Sequence, residues 1–182
     1  AVRFLPQLLR GFARVHPKVQ VEVHCAHTPR LLEQLERHAL DLALASFAEQ
    51  EKGRTIIRRE PLVWVGAEGS NAVHRKPLRL ALTDPDTLDH RAARRSLDAA
   101  GRAYRVAYAS ASLAGLTAVV RSGQAIAVLT RTAVPDDLRV LSAESGLPPL
   151  PSVGIGVMVD SKQPSAVVSA FAQHLRLVLP TI

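Results

Sequence analysis

The 182-residue sequence predicts an α/β fold of two Rossmann-like lobes, and three observations carry that prediction. Residues 28–45, TPRLLEQLERHALDLALA, place an amphipathic helix directly ahead of a buried strand. Residues 78–129 repeat the same alternation of strand and helix. With 47% hydrophobic and 21% charged residues, the chain can bury a substantial core, as one domain or as two small lobes.

In chain order, Leu5, Leu8, Leu9, Phe12 and Val15 trace one face of a first helix, with Pro6 in its first turn and His16-Pro17 stopping it. KVQVEVHCA then alternates as a half-buried strand with Val19, Val21 and Val23 on one face. In the next helix Thr28 caps the first turn and Pro29 suits the first helical position. Leu31, Leu32 and Leu35 form its apolar stripe, and LDLALA, Leu40 to Ala45, is the strand that covers it. Such βαβ units set helix N-termini beside the carboxyl ends of strands, where small ligands bind. SFAEQEKG has loop composition. RTIIRREPLVWVGA reads as two short strands broken at Glu60-Pro61, the second crossing into another lobe.

The second lobe opens with a strand, Leu78 to Leu82, a turn at Thr83-Asp84-Pro85, and a helix from about Asp86 to Ala100 ended by Gly101. Asp84 and Pro85 form a cap and first-turn pair. YRVAYA is a strand, Ser110 or Ser112 caps the helix carrying Leu113, Leu116, Val119 and Val120, and AIAVL is a further strand, followed by Thr130. The proline-rich LPPLP is a stiff connector, VGIGVMVD a return strand, and Pro164 to Val178 a last helix.

Charge and chemistry narrow the function. The 23 basic and 16 acidic side chains give a net charge of +7, with eight basic residues between Arg75 and Arg105. No helix-turn-helix, zinc-finger spacing or aromatic-basic interleaving accompanies them, so a solvated basic surface is preferred over base reading. His24, Cys25 and His27 lie close in sequence but lack further ligands at metal-binding spacing, and one cysteine makes no internal disulfide. There is no nucleophile elbow around Ser110 or Ser112 and no Gly-rich phosphate loop, so no catalytic residue, metal or cofactor is predicted. No apolar run approaches the roughly 20 residues of a membrane helix, and no signal peptide is recognisable, which predicts a cytoplasmic protein with no membrane partner. Thr28, Thr83, Asp84, Ser110 and Ser112 share one property: all lie where strands give way to helices. Each can serve simply as a cap; as a set they favour a ligand site.

Five stretches in order carry a family resemblance: FLPQLLRGFARVHPKVQVEV, LLEQLERHALDLALA, RREPLVWVGAEGS, YRVAYASASLAGLTAVVRSGQAIAVLTR and DLRVLSAESGLPPLP. Together they resemble the effector-binding domain of LysR-type transcriptional regulators over nearly the whole chain, and the last stretch is most similar to the LrhA/HexA-like branch. His38 stands where the family has glycine, and Ala125 where it has a second glycine.

The resemblance implies a periplasmic-binding-protein-like (type 2) architecture, with residues 1–62 and 157–182 as a discontinuous first lobe, residues 63–156 as the second, and crossing strands joining them. It implies a small effector held between the lobes, with Thr28, Pro29, Thr83, Asp84, Ser110 and Thr130 as the candidate ligand-binding residues. It also implies promoter DNA as a partner through an N-terminal winged helix outside this chain, and a homodimer or homotetramer formed through the helices Leu5 to Val15 and Leu113 to Arg121. The alternatives are a stand-alone bilobal solute-binding protein, which would need an export signal, and an enzyme on this architecture, which would turn over its ligand.

Overall fold

The computed structural model describes residues 3–49, 51, 53–160 and 164–182. Gln50 and Lys52 of the predicted polar loop lie outside the described residues. The chain divides into two compact units, Ala1–Arg59 with Gly154–Ile182, and Glu60–Val153. The predicted lobe edges at 62/63 and 156/157 fall in the same two strands as these boundaries, β2 (Arg58–Ala67) and β7 (Ser152–Val159).

In the first unit, α1 (Leu5–Val15) turns Leu8 and Phe12 inward, against α5 (Ala166–Val178). Leu8, Val157, Ala172, Leu175 and Leu179 form one core cluster, and His174 Nε2 donates to Leu8 O at 3.0 Å. A second cluster joins Leu31 and Leu35 of α2 (Thr28–Glu36) to Ala43 of β1 (Leu42–Ala48). Strand β1 runs three residues beyond the predicted Ala45, because Phe47 continues the inward alternation at 2% exposure.

Between α2 and β1 the backbone turns through His38, whose φ is +58°. The N–H of Ala39 reaches Gln34 O at 2.9 Å and that of His38 reaches Leu35 O at 3.1 Å. This is the Schellman pair that ends a helix, here with histidine at the left-handed position usually given to glycine. His38 Nδ1 also donates to Asp160 Oδ2 at 2.5 Å, an interaction no glycine could make.

The predicted strand at Val19 to Val23 is not formed: residues 18–27 pair with no neighbour in a ladder, and Val21 and Val23 are 38% and 46% exposed. Alternation alone does not make a strand; it needs a partner for its N–H and C=O groups, and no described segment supplies one. The proposed interruption at Glu60-Pro61 is also corrected, since β2 is continuous. Its register with β5 begins at Leu62↔Thr130, one residue past Pro61, so the missing proline N–H costs that ladder nothing.

In the second unit the strands run in the order β2-β5-β3-β4, with β6 (Leu138–Val140) also on β2. Strands β3 (Leu78–Leu82), β4 (Tyr104–Ala109) and β5 (Ile126–Thr130) are parallel; β2 is antiparallel to β5. Helix α3 (Leu88–Ala99) connects β3 to β4, and α4 (Leu113–Arg121) connects β4 to β5. Because β4 and β5 flank β3 on opposite sides, the chain reverses its direction of travel at β3, which makes the carboxyl ends of these strands a topological switch point. Leu116 and Val120 of α4 pack with Ala81, Ala125, Ala127 and Val65. Ala125 is fully buried in that cluster, so the backbone accommodates a methyl group at the position of the family's second glycine.

Candidate functional site

The six candidate residues fall into one set in each unit. In the first unit Thr28 is the first residue of α2 and Pro29 the second. Thr28 is not the cap that the sequence suggested: the N-cap position is His27, with no side-chain capping bond. Instead Thr28 Oγ1 accepts the backbone N–H of Ser46 at 2.9 Å, because α2 packs directly on β1 and brings its first turn to that strand's carboxyl half. An oxygen used as an acceptor leaves the hydroxyl hydrogen to be donated, and no acceptor takes it among the described residues. Ser46, which carries this arrangement through its backbone, was missed because a main-chain donor has no sequence signature.

In the second unit Thr83 and Asp84 follow β3, Ser110 follows β4, and Thr130 ends β5, so all four stand at the carboxyl ends of parallel strands. Ser110 N donates to Leu82 O at 3.2 Å, which sets the β3 and β4 exits side by side. Asp84 and Pro85 do not begin the helix as predicted. They form a turn closed by Thr87 N donating to Asp84 O at 3.1 Å, and α3 starts at Leu88 behind the N-cap Thr87. Proline's fixed φ suits a turn's second position as well as a helix's first, so the sequence cue was ambiguous.

Thr83 is 8% exposed, and its hydroxyl is committed: it donates to Asp89 Oδ2 at 2.7 Å and lies 2.5 Å from Thr87 Oγ1. The Thr83 carbonyl also accepts from His90 Nδ1 at 2.9 Å, and His90 is 6% exposed. Thr83, Thr87, Asp89 and His90 thus form a bonded set that fixes the β3 exit and the start of α3. The threonine pair four residues apart was its only sequence signal. Asp84, in contrast, is exposed.

Ser110 and Ser112 divide the work that the sequence left open between them. Ser112 is the N-cap of α4, its Oγ accepting Gly115 N at 3.0 Å. Ser110 Oγ accepts Ser112 N at 3.2 Å, making a compact turn at the helix start. A Cβ built on Gly115 would overlap Ser110 Oγ, so glycine is what lets Ser110 lie against the first turn of α4. Thr130 is half-buried at the end of β5 and opens a short 3-10 turn, Arg131–Ala133. At the other end of α4 the Arg121 guanidinium grips Asp137 through Nε at 2.6 Å and Nη2 at 3.0 Å, and that hydrogen bond holds the carboxyl below the usual aspartate range.

This arrangement offers hydroxyls and helix starts, groups that bind and orient a polar molecule. His24 is 3.0 Å from Glu22 and Cys25 is exposed; among the described residues no group of three or more His, Cys, Asp or Glu could hold a metal ion. No helix among the described residues is long and apolar enough to cross a membrane.

The chain is similar to known proteins in sequence and in fold. The chain is 58% identical over 179 residues to the HTH-type transcriptional regulator DgdR of Burkholderia cepacia, covering 98% of this chain and 61% of DgdR. It is 25% identical over 147 residues to the HTH-type transcriptional regulator PecT of Dickeya dadantii (strain 3937), covering 81% of this chain and 46% of PecT. The chain therefore spans between about half and three fifths of the length of these relatives. In fold it is similar to the regulatory domain of CcmR from Synechocystis PCC6803 in complex with 2-PG, with a TM-score of 0.76, 16% identity, and coverage of 98% of this chain and 92% of that one. The family described as the LysR substrate binding domain matches residues 1–180, and the chain belongs to it: an effector-binding domain of the LysR-type transcriptional regulators, a family of regulators and not of enzymes.

Proposed function

We propose that this domain binds a small polar effector and that its occupancy changes promoter binding, and hence transcription, by a longer protein whose winged helix lies outside residues 1–182. The observation that carries this reading is the Thr28 hydroxyl, pinned by Ser46 yet keeping its hydrogen for an acceptor. An acceptor-rich ligand, a carboxylate or related oxyanion, suits that donor together with the start of α2. The CcmR complex with 2-PG supports a small-molecule ligand for this fold.

In this reading Thr28 and Pro29 are contacts from the first unit; Asp84, Ser110 and Thr130 are contacts from the second, with Thr83 holding the β3 exit in place. Exposed Asp84 opposes an anion beside it and restricts where a carboxylate can sit. The run DLRVLSAESGLPPLP supports the LrhA/HexA-like branch. We further infer a cytoplasmic protein, residues 1–62 with 157–182 and residues 63–156 as its functional lobes, and a homodimer or homotetramer pairing α1 with α4 of a second copy.

Native mass spectrometry of the full-length protein purified from its source tests the reading. A small molecule of one mass, retained at up to one per chain and altering promoter binding when added back, is the expected result. A chain that carries no small molecule and whose promoter binding responds to none of the small molecules extracted from that source would overturn it.

A further inference from the structure

The parallel register of β3 and β4 sets Arg79 directly beside Arg105. Paired residues on neighbouring strands share a face, with the backbones about 4.8 Å apart, so two guanidiniums rise from adjacent positions. Like charges so placed repel. Neither arginine is in an ion pair with any described carboxylate. Arg79 is half-buried: Nη2 donates to Tyr108 OH at 3.2 Å, Nη1 to Gln124 Oε1 at 3.4 Å, and its Cζ lies 5.5 Å from the centre of the Tyr108 ring. Its Nε is buried with no acceptor among the described residues. Arg105 is exposed beside it on the edge strand.

A buried guanidinium is normally matched by a carboxylate or fully hydrogen-bonded. Here a tyrosine ring and two neutral oxygens hold the orientation of Arg79 with no described carboxylate paired to it, and Arg105 adds a second positive residue on the neighbouring strand. Arg75 and Lys76, both exposed, add positive charge just ahead of β3. The carboxylates Asp84, Asp86 and Asp89 lie past the opposite end of that strand, with Thr83. Thr83 is four residues along from Arg79, about 13 Å at the rise of a strand, so the arginine pair is separate from the candidate effector contacts.

We propose that Arg79 and Arg105 form an anion site for a phosphate group, with Arg79 as the oriented, aromatic-backed member and Arg105 as the mobile one. Two adjacent guanidiniums match an oxyanion with several acceptor oxygens better than a single-point anion. The phosphate can belong to a free small molecule or to a nucleic-acid backbone; both present the same oxygens.

The test is titration of the domain with inorganic phosphate against chloride at constant ionic strength, following the arginine Nε–H resonances by NMR. Saturable shifts at Arg79 and Arg105, absent at exposed Arg94 and Arg95, are expected. Arg105→Gln should weaken phosphate binding roughly tenfold, and because Arg105 is exposed the variant should keep its fold. Arg79→Gln should abolish the response, with thermal denaturation reporting whether it folds. A second arm adds random-sequence duplex DNA. Loss of duplex binding in Arg105→Gln would assign the site to backbone phosphates, and unchanged duplex binding to a free phosphate compound. The proposal is overturned if phosphate moves Arg79 and Arg105 no more than chloride does, or moves Arg94 and Arg95 equally.

Discussion

The backbone N–H of Ser46 donates to Thr28 Oγ1 across 2.9 Å, binding the first residue of α2 to β1. The contact is part-buried, so its acceptor is not readily replaced by water.

Thr28→Val removes that acceptor and leaves the Ser46 N–H unpaired, which should cost about 1–3 kcal/mol of stability. Thr28→Ser keeps the oxygen and should stay close to the parent. Once the effector is known, calorimetry should show Thr28→Val binding it roughly ten- to a hundred-fold more weakly while Thr28→Ser retains most of the affinity. Unchanged affinity in the valine variant would leave Thr28 as a purely structural pin.

Gly115→Ala should behave against helix propensity. Alanine inside a helix is ordinarily more stable than glycine by up to about 1 kcal/mol. Here the new methyl meets Ser110 Oγ, with Ser110 Cβ at 3.1 Å and Ser112 Oγ at 3.2 Å, so the single variant should gain nothing or lose stability. Adding Ser110→Ala should recover much of the propensity gain. Denaturant unfolding of the two singles and the double gives the coupling directly; strict additivity would show that the two side chains do not compete.

His38 sets two effects against each other. His38→Gly removes the strain of a positive φ but also the bond to Asp160, so its stability should lie within about 1 kcal/mol of the parent. His38→Ala loses the bond and keeps the strained backbone, and should be the least stable of the three by thermal denaturation. An alanine variant as stable as the glycine one would contradict the left-handed turn.

Much of this fold was legible in the sequence because local pattern and tertiary need coincided. Leu8 and Phe12, Leu31 and Leu35, and Leu116 and Val120 recur at helical spacing, and all are buried. The failures share a cause. Val19, Val21 and Val23 alternate as well as any strand in the chain, but a strand is a property of a pair, and pairing is not written in one segment. The candidate site was legible as a set of chain positions and not as a set of bonds. Asp84 and Ser110 are where strand exits place them, but no strand precedes Thr28 among the described residues; the capping role expected of Thr28 belongs to no side chain, and Ser112 rather than Ser110 caps α4. The set of Thr83, Thr87, Asp89 and His90 depends on a turn whose proline reads equally well as a helix start.

In the first unit α1 is covered through residues distant along the chain: His174 of α5 bonds the carbonyl of Leu8 in α1 across 166 positions, while residues 60–153 form the second unit without interruption. During synthesis the second unit is complete while the first still lacks its final helix. Leu8 and Phe12 therefore wait uncovered until α5 emerges, and α1 is the segment most exposed to chaperones or to premature pairing with another nascent chain. In refolding from denaturant, closing that long loop should make docking of α5 on α1 the slow step, behind the local crossovers β3-α3-β4 and β4-α4-β5.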